Sequence, residues 1–246
     1  MAESPSPASS ERLHRFLARS GVSGRREAEE IMRSGRVTVN GELAVEPGFS
    51  INPDRDRVEV DGRRVRPPSE HTYILLNKPV NVVTTASDPQ GRPTVLDVVK
   101  SRRRVFPVGR LDYDSSGLLL LTDDGELAQR LAHPRYRIEK TYLTDVRGEL
   151  TTAKIEALRH GVTLKDGITA PAKVKVVRRS RTGATLELTL REGRNREVRR
   201  MCAALGLKVA NLHRTQLGPL RIHGVRPGEF RPLTSQEIKD LRACVA

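Results

Sequence analysis

The sequence has no tryptophan, and four phenylalanines and four tyrosines bring its aromatic content to only 3%. Platforms on which successive unpaired bases stack are therefore excluded as the main means of holding a nucleic acid. Two cysteines, Cys202 and Cys244, are too few and too far apart for a disulfide framework or a four-ligand zinc site. No stretch approaches the ~20 apolar residues of a membrane span, so no membrane association is expected. The Gly-x-x-x-x-Gly-Lys-Ser/Thr phosphate loop, the Gly-x-Ser-x-Gly elbow, His-Glu-x-x-His and the dinucleotide fingerprint are all missing. Those absences weaken NTPase, hydrolase and dehydrogenase readings. The six histidines stand apart from Cys or carboxylate partners at ligand spacing, and no metal is expected.

What the chain has is positive charge. Lys and Arg number 44 against 30 Asp and Glu, a net charge of +14, and 35 of the cations are Arg. Such an excess favours a polyanionic partner, gripped through guanidinium and phosphate. The length of 246 residues allows one large domain or two smaller ones. The Ser/Pro/Ala-rich start, residues 1–10, carries Glu3 and no apolar segment. It reads as a disordered tail and not as a secretory signal, and the cytoplasm is expected.

Leu13, Phe16 and Leu17 recur at helical spacing with Arg12, Arg15 and Arg19 beside them, and Gly21 ends the segment. A second short helix follows from Gly24, with Ala28, Ile31 and Met32 as its apolar stripe and Arg25 and Arg26 at its start. Val37 and Val39 alternate into Asn40-Gly41, and Val58 and Val60 into Asp61-Gly62, both two-residue hairpin signals. These features predict a small α+β unit over residues 11–66, and Arg66-Pro67-Pro68-Ser69-Glu70 predicts a linker at 67–72. From 73 to 246, strand-like runs at Tyr73–Leu76, Leu118–Leu121, Tyr142–Val146, Lys173–Val177 and Thr185–Leu190 are interrupted by helices. Asp123 with Glu126, and Thr234 with Glu237, read as capping boxes. The expected fold is an α+β domain on a mixed, mostly antiparallel sheet.

Three segments could carry chemistry. Gly109 to Gly117 is a polar loop feeding the run Leu118–Leu121, and a rigid sheet edge fixes such side chains well; alternatively Asp112 and Asp114 bond their own turn. Lys140 and Tyr142 fall on one side of a strand, as a site or as an ordinary exposed face. Arg191 to Met201 sets five Arg around Gly193, either a charged lead-in to a helix or a patch that grips RNA phosphates and supplies a counter-ion to a buried carboxylate.

Gly109-Arg110-Leu111-Asp112-x-x-Ser115-Ser116-Gly117, running on through Leu118–Leu121 to Thr122-x-Asp124-Gly125, resembles the catalytic motif of the pseudouridine synthases that act on ribosomal RNA. Leu76-Asn77-Lys78-Pro79 is similar to that family's first motif, Glu139-Lys140-x-Tyr142 to its tyrosine motif, and Gly193–Met201 to its late basic motif, in the family's order. Arg12 to Gly41 resembles the RNA-binding module named after small-subunit ribosomal protein S-four. The late motif is nearer to the large-subunit enzyme group B than to the small-subunit enzyme. Where the family has Gly two residues after Lys-Pro, this chain has Asn81, the non-glycine residue that best tolerates left-handed backbone. Where the module has Ser before its paired arginines, Gly24 stands, with Ser23 one place earlier.

The resemblance implies an S-four-like domain followed by a pseudouridine synthase domain at 73–246. It implies isomerisation of a flipped-out uridine without a cofactor, with ribosomal RNA as partner, 23S RNA or a large-subunit precursor above all; a monomer is expected. Asp112 would be the essential carboxylate, adding to the ribose C1′ or removing the C2′ proton. Arg199 would be its counter-ion, with Arg200 as rival, and Tyr142 would pack on the uracil and help remove the C5 proton. Candidate RNA contacts are Arg12, Arg15, Arg19, Arg25, Arg26, Lys78, Arg110, Lys140, Arg194, Arg196 and Arg200. The alternative is a non-catalytic ribosome-assembly RNA-binding protein. Asp112 speaks against it, because a pure binder gains nothing from a carboxylate among arginines facing a polyanion.

Overall fold

The computed structural model describes residues 10–246; the stretch read as a tail lies outside these, Ser10 excepted. The chain divides into two compact units, one ending at His71 and one spanning Thr72–Ala246.

In the first unit, α1 (Leu13–Arg19) and α2 (Arg25–Arg33) are too short to be stable alone. They are held by a common core in which Leu13, Phe16, Leu17, Ala28 and Met32 meet Val37, Val39 and Val58. Those valines belong to a four-stranded sheet of β1 (Val37–Val39), β2 (Glu42–Leu43), β3 (Val58–Val60) and β4 (Arg63–Arg64). Both expected hairpins are present. Asn40 and Gly41 have φ of 55° and 91°, Asp61 and Gly62 of 51° and 73°, the paired positive values a tight hairpin of this hand requires. α2 starts without a side-chain cap: the Gly24 N–H donates to the Glu27 carboxylate at 3.2 Å, while Ser23 is buried and its hydroxyl donates to the Gly24 carbonyl.

The second unit consists of β5 (Tyr73–Lys78), α3 (Val95–Val99), β6 (Ser116–Thr122), α4 (Gly125–Ala132), β7 (Lys140–Arg147), α5 (Thr152–His160), β8 (Lys173–Ser180), β9 (Gly183–Leu190), α6 (Glu197–Ala204), β10 (Lys208–Leu217), β11 (Phe230–Pro232) and α7 (Ser235–Ala243), with shorter pieces between. Its main sheet runs β8-β9-β7-β10-β6-β5-β11, antiparallel except where β10 meets β6. The class is α+β with a mixed, mostly antiparallel sheet, as expected. β10 is an addition to the sequence reading, which placed no strand over 208–217.

The four-leucine run is explained by cover on both faces. Leu118 and Leu120 pack with Leu127 and Leu131 of α4 and Leu241 of α7, whereas Leu119 and Leu121 pack with Val95 and Val99 of α3. All four are fully buried, and at about 2 kcal/mol for each buried leucine they fix β6 firmly at the centre. The sequel of the motif also builds scaffold. Asp124 caps α4 by accepting the Leu127 N–H at 3.0 Å and accepts the Tyr73 hydroxyl at 2.6 Å. This corrects the expected cap at Asp123, whose carboxylate instead accepts the Thr72 N–H. Thr234 caps α7 as anticipated, with its reciprocal partner Glu237.

Candidate active site

The loop before β6 is strapped from below. Thr84 Oγ1 donates to the Leu111 carbonyl at 2.7 Å, the Asn81 N–H donates to the Tyr113 carbonyl at 2.8 Å, and the Lys78 ammonium donates to the Ser115 carbonyl at 2.8 Å. Asn81 has φ of 63°, the left-handed turn anticipated for it. Lys78 corrects an expectation. It is 0% exposed, so it cannot reach RNA; its ammonium is spent on the Pro79 and Ser115 carbonyls. Burial pulls its pKa down to about 8, against the opposing pull of Asp112 and Asp114.

With its backbone fixed, the loop turns its carboxylates toward the late basic segment, not back onto its own turn. Arg196 Nη1 lies 3.4 Å from Asp112 Oδ2, and the same guanidinium forks onto Asp114 at 3.1 and 2.9 Å. The fork, with Arg199 adding to it, holds the Asp114 carboxyl below the usual carboxylate range. The expected counter-ion to Asp112, Arg199, is elsewhere: its Nη2 donates to the Asp114 carbonyl at 2.7 Å and to Ser115 Oγ at 3.4 Å. The reason is that α6 begins only at Glu197. Arg196, at φ 48° in the left-handed region, stands before the helix and faces the loop, whereas Arg199 is half a turn or more further along. Arg200 pairs with Asp166 at 2.8 Å. Arg194 pairs with Glu192 and donates to the carbonyls of Gly167 and Ile168.

Asp112, Arg110, Lys140, Tyr142, Glu192, Arg196, Glu197 and Arg214 line one cavity of about 630 Å³, inside the ~300–1,000 Å³ range of small-ligand sites. Lys140 and Tyr142 thus face the same side of β7, as their spacing predicts. Lys140 donates to the Ile138 carbonyl at 3.1 Å, and burial followed by repulsion from Arg214 lowers its pKa. Arg110 is exposed at the rim with no partner among the described residues. Two wall residues were not singled out from sequence. Arg214 is 3% exposed and donates from Nε to the Leu118 carbonyl at 2.7 Å, tying β10 to β6. Glu197 is buried at the start of α6 beside Glu192. Among the described residues no three His, Cys, Asp or Glu side chains gather closely enough to ligate a metal ion.

Burial, and then the hydrogen bond it shares with Glu192, pushes the Glu197 carboxyl up to about 8. An unfolded Glu titrates near 4.3, so the folded chain binds this proton more tightly. The resulting stabilisation is complete below about pH 4 and is lost as pH rises through about 8. Glu197→Gln keeps the neutral shape, and its melting temperature should fall less than the parent's between about pH 6 and 9. Parallel melting curves across that range would refute the raised carboxyl.

Residues 72–204 match the RNA pseudouridylate synthase family, and residues 11–56 match the S4 domain. The chain belongs to the RNA pseudouridylate synthase family. It is 44% identical to the ribosomal large subunit pseudouridine synthase B of Bacillus subtilis (strain 168), over 95% of this chain and 96% of that one. To an RNA pseudouridine synthase of Aquifex aeolicus (strain VF5) it is 42% identical over 94% and 93% of the two chains. A crystal structure of a pseudouridylate synthase superposes with a TM-score of 0.68 at 33% identity, covering 94% of this chain and 99% of that one. The synthase is accordingly an RNA-directed isomerase with an N-terminal S4 domain.

The S4 arginines sort by what they touch. Arg19 is held by Glu11 at 2.7 Å and lies over Phe16, and Arg12 donates to the Gly48 carbonyl and Ser50 Oγ. Arg15, Arg25 and Arg26 are exposed, without a side-chain partner among the described residues.

Proposed function

We propose that this synthase converts one uridine of large-subunit ribosomal RNA, the 23S RNA or its precursor, to pseudouridine, as a monomer in the cytoplasm. The observation that carries the reading is Asp112 on the wall of the 630 Å³ cavity, with Tyr142 on the same cavity and a guanidinium 3.4 Å from its carboxylate. The substrate class is supported by the large-subunit enzyme of Bacillus subtilis at 44% identity. The compartment is supported by two free thiols.

The target uridine leaves the stack to enter the cavity. Its N1–C1′ bond breaks, the uracil turns, a C5–C1′ bond forms, the C5 proton leaves and N1 ends protonated. Nothing is oxidised or reduced, so the chain's own groups suffice. Asp112 supplies the negative oxygen, to C1′ directly or to the C2′ proton, and Arg196 neutralises it in a partly dry site. Tyr142 packs on the uracil and helps remove the C5 proton, while Lys140 stands at the wall as an RNA or structural contact.

Arg110 at the rim of the cavity, and Arg15, Arg25 and Arg26 in the S4 domain, are exposed cations available to phosphate. For a single-stranded RNA fragment, each of the last three changed to Gln should flatten the slope of log K against log salt by about 0.7, read by fluorescence anisotropy. A triple variant with the parent's slope would remove the S4 helices from the RNA contact. The function itself is tested by mapping carbodiimide-reactive pseudouridines in ribosomal RNA of cells lacking the gene. One site should be lost and return with the parent gene; an unchanged map overturns the reading.

A further inference from the structure

We infer that Asp114 is a positioning residue that anchors the Arg196 guanidinium, so that this cation stands beside Asp112 without occupying its oxygens. The inference rests on Asp112 being the reacting carboxylate. Arg196 offers a fork of parallel N–H donors, the geometry that prefers to close on both oxygens of one carboxylate. Two carboxylates are within its reach, and the fork closes on Asp114, at 3.1 and 2.9 Å. Asp112 receives only a 3.4 Å approach from Nη1, an ion pair with no hydrogen bond.

Asp114 is itself held. Arg199, three residues beyond Arg196, donates to the Asp114 carbonyl at 2.7 Å and brings Nη2 to 3.3 Å from Asp114 Oδ2. The Arg196 backbone sits at φ 48° and ψ 35° just before α6, and its guanidinium, on a side chain 43% exposed, can turn from one carboxylate to the other. The buried Lys78 ammonium on β5 attracts both carboxylates while it donates to the Ser115 carbonyl beside them. Asp114 is 45% exposed on its side chain, and an ion pair that open contributes little to folding. A carboxylate there also repels the polyanionic substrate. Its use lies in what it denies Arg196: without Asp114 the fork would close on Asp112, and both oxygens of the nucleophile or base would be occupied.

The test is Asp114→Asn, nearly identical in shape, in the full-length protein with a transcript of the target RNA. Single-turnover pseudouridine formation should slow about 10- to 100-fold, while the dissociation constant for the RNA stays the same or falls. In an Arg196→Gln background, where no fork remains to be misdirected, Asp114→Asn should slow the reaction less than about threefold. A parent-like rate in Asp114→Asn overturns the inference, as does an equal loss in both backgrounds, or a loss of RNA affinity that accompanies the loss of rate. Asp112→Asn run alongside separates the two levels of argument. An active Asp112→Asn removes the premise, whereas an inactive Asp112→Asn beside a parent-like Asp114→Asn removes only the anchor.

Discussion

Asp112→Asn should lower turnover by about 10³-fold or more, measured as tritium released from C5-labelled uridine in the target RNA, with RNA affinity within about threefold of the parent. The size follows from chemistry, since a neutral amide can neither add to C1′ nor take the C2′ proton. A thousandfold loss corresponds to about 4 kcal/mol of transition-state stabilisation. The specificity of the loss follows from geometry. Asp112 makes no hydrogen bond through its carboxylate to another described residue; its contact is the 3.4 Å approach of Arg196, which Asp114 holds independently. The loop stays strapped by Thr84, Asn81 and Lys78 through backbone carbonyls that the substitution does not touch. Folding and RNA binding are therefore expected to survive. Turnover within tenfold of the parent would reject Asp112 as the reacting group and leave the cavity without its chemistry.

The elements legible in the sequence were those whose local chemistry and packing agree. Asn40-Gly41 and Asp61-Gly62 demand a tight hairpin, and Thr234 with Glu237 closes a capping box; both signals act within four residues. Leu118–Leu121 could be read as a buried strand because burial on both faces removes polar alternation. β10 escaped because it lies at the centre of the sheet with Asn211, His213, Arg214 and Gln216 along it. Each finds a partner only in the folded chain. Asn211 donates to Asp145, His213 meets Ser116 Oγ, Arg214 donates to the Leu118 carbonyl and Gln216 to the Gly218 carbonyl. No local rule marks such residues as strand.

The same distinction runs through the site. Asp112 and Tyr142 could be marked as candidates because they sit in motifs, and the alternation of β7 brings Lys140 and Tyr142 to one cavity. Which arginine stands beside Asp112 could not be marked, because it depends on where α6 begins and on the left-handed residue before it. Lys78 was expected as an RNA contact, and the Pro79 and Ser115 carbonyls that make its burial tolerable are not marked by any local signal.

Gly117→Ala should lower the melting temperature by about 10 °C, because two independent costs fall on one methyl group. Gly117 has φ of 109°, where an alanine is strained, and a Cβ there would lie 2.3 Å from the Arg214 carbonyl oxygen and 2.5 Å from its nitrogen. Both neighbours are backbone, so no rotamer change relieves the contact. β6 and β10 pair in register only at Ser116 with His213 and Gly117 with Arg214, so the methyl falls in the short parallel seam that joins the two halves of the sheet. Overpacking of this kind costs about 1–3 kcal/mol and the backbone strain about 1–3 kcal/mol more; at roughly 2–4 °C per kcal/mol for a chain of this size, the shift is of the stated order. Ser116→Ala, which removes only the 2.9 Å contact to His213, is the control and should cost a third as much or less. Turnover of Gly117→Ala below its melting point should also fall, since β6 carries the Asp112 loop and β10 carries Arg214 on the cavity wall. A melting temperature within about 2 °C of the parent would mean that the seam can open by an ångström without loss, and that Gly117 is not what holds the strands so close.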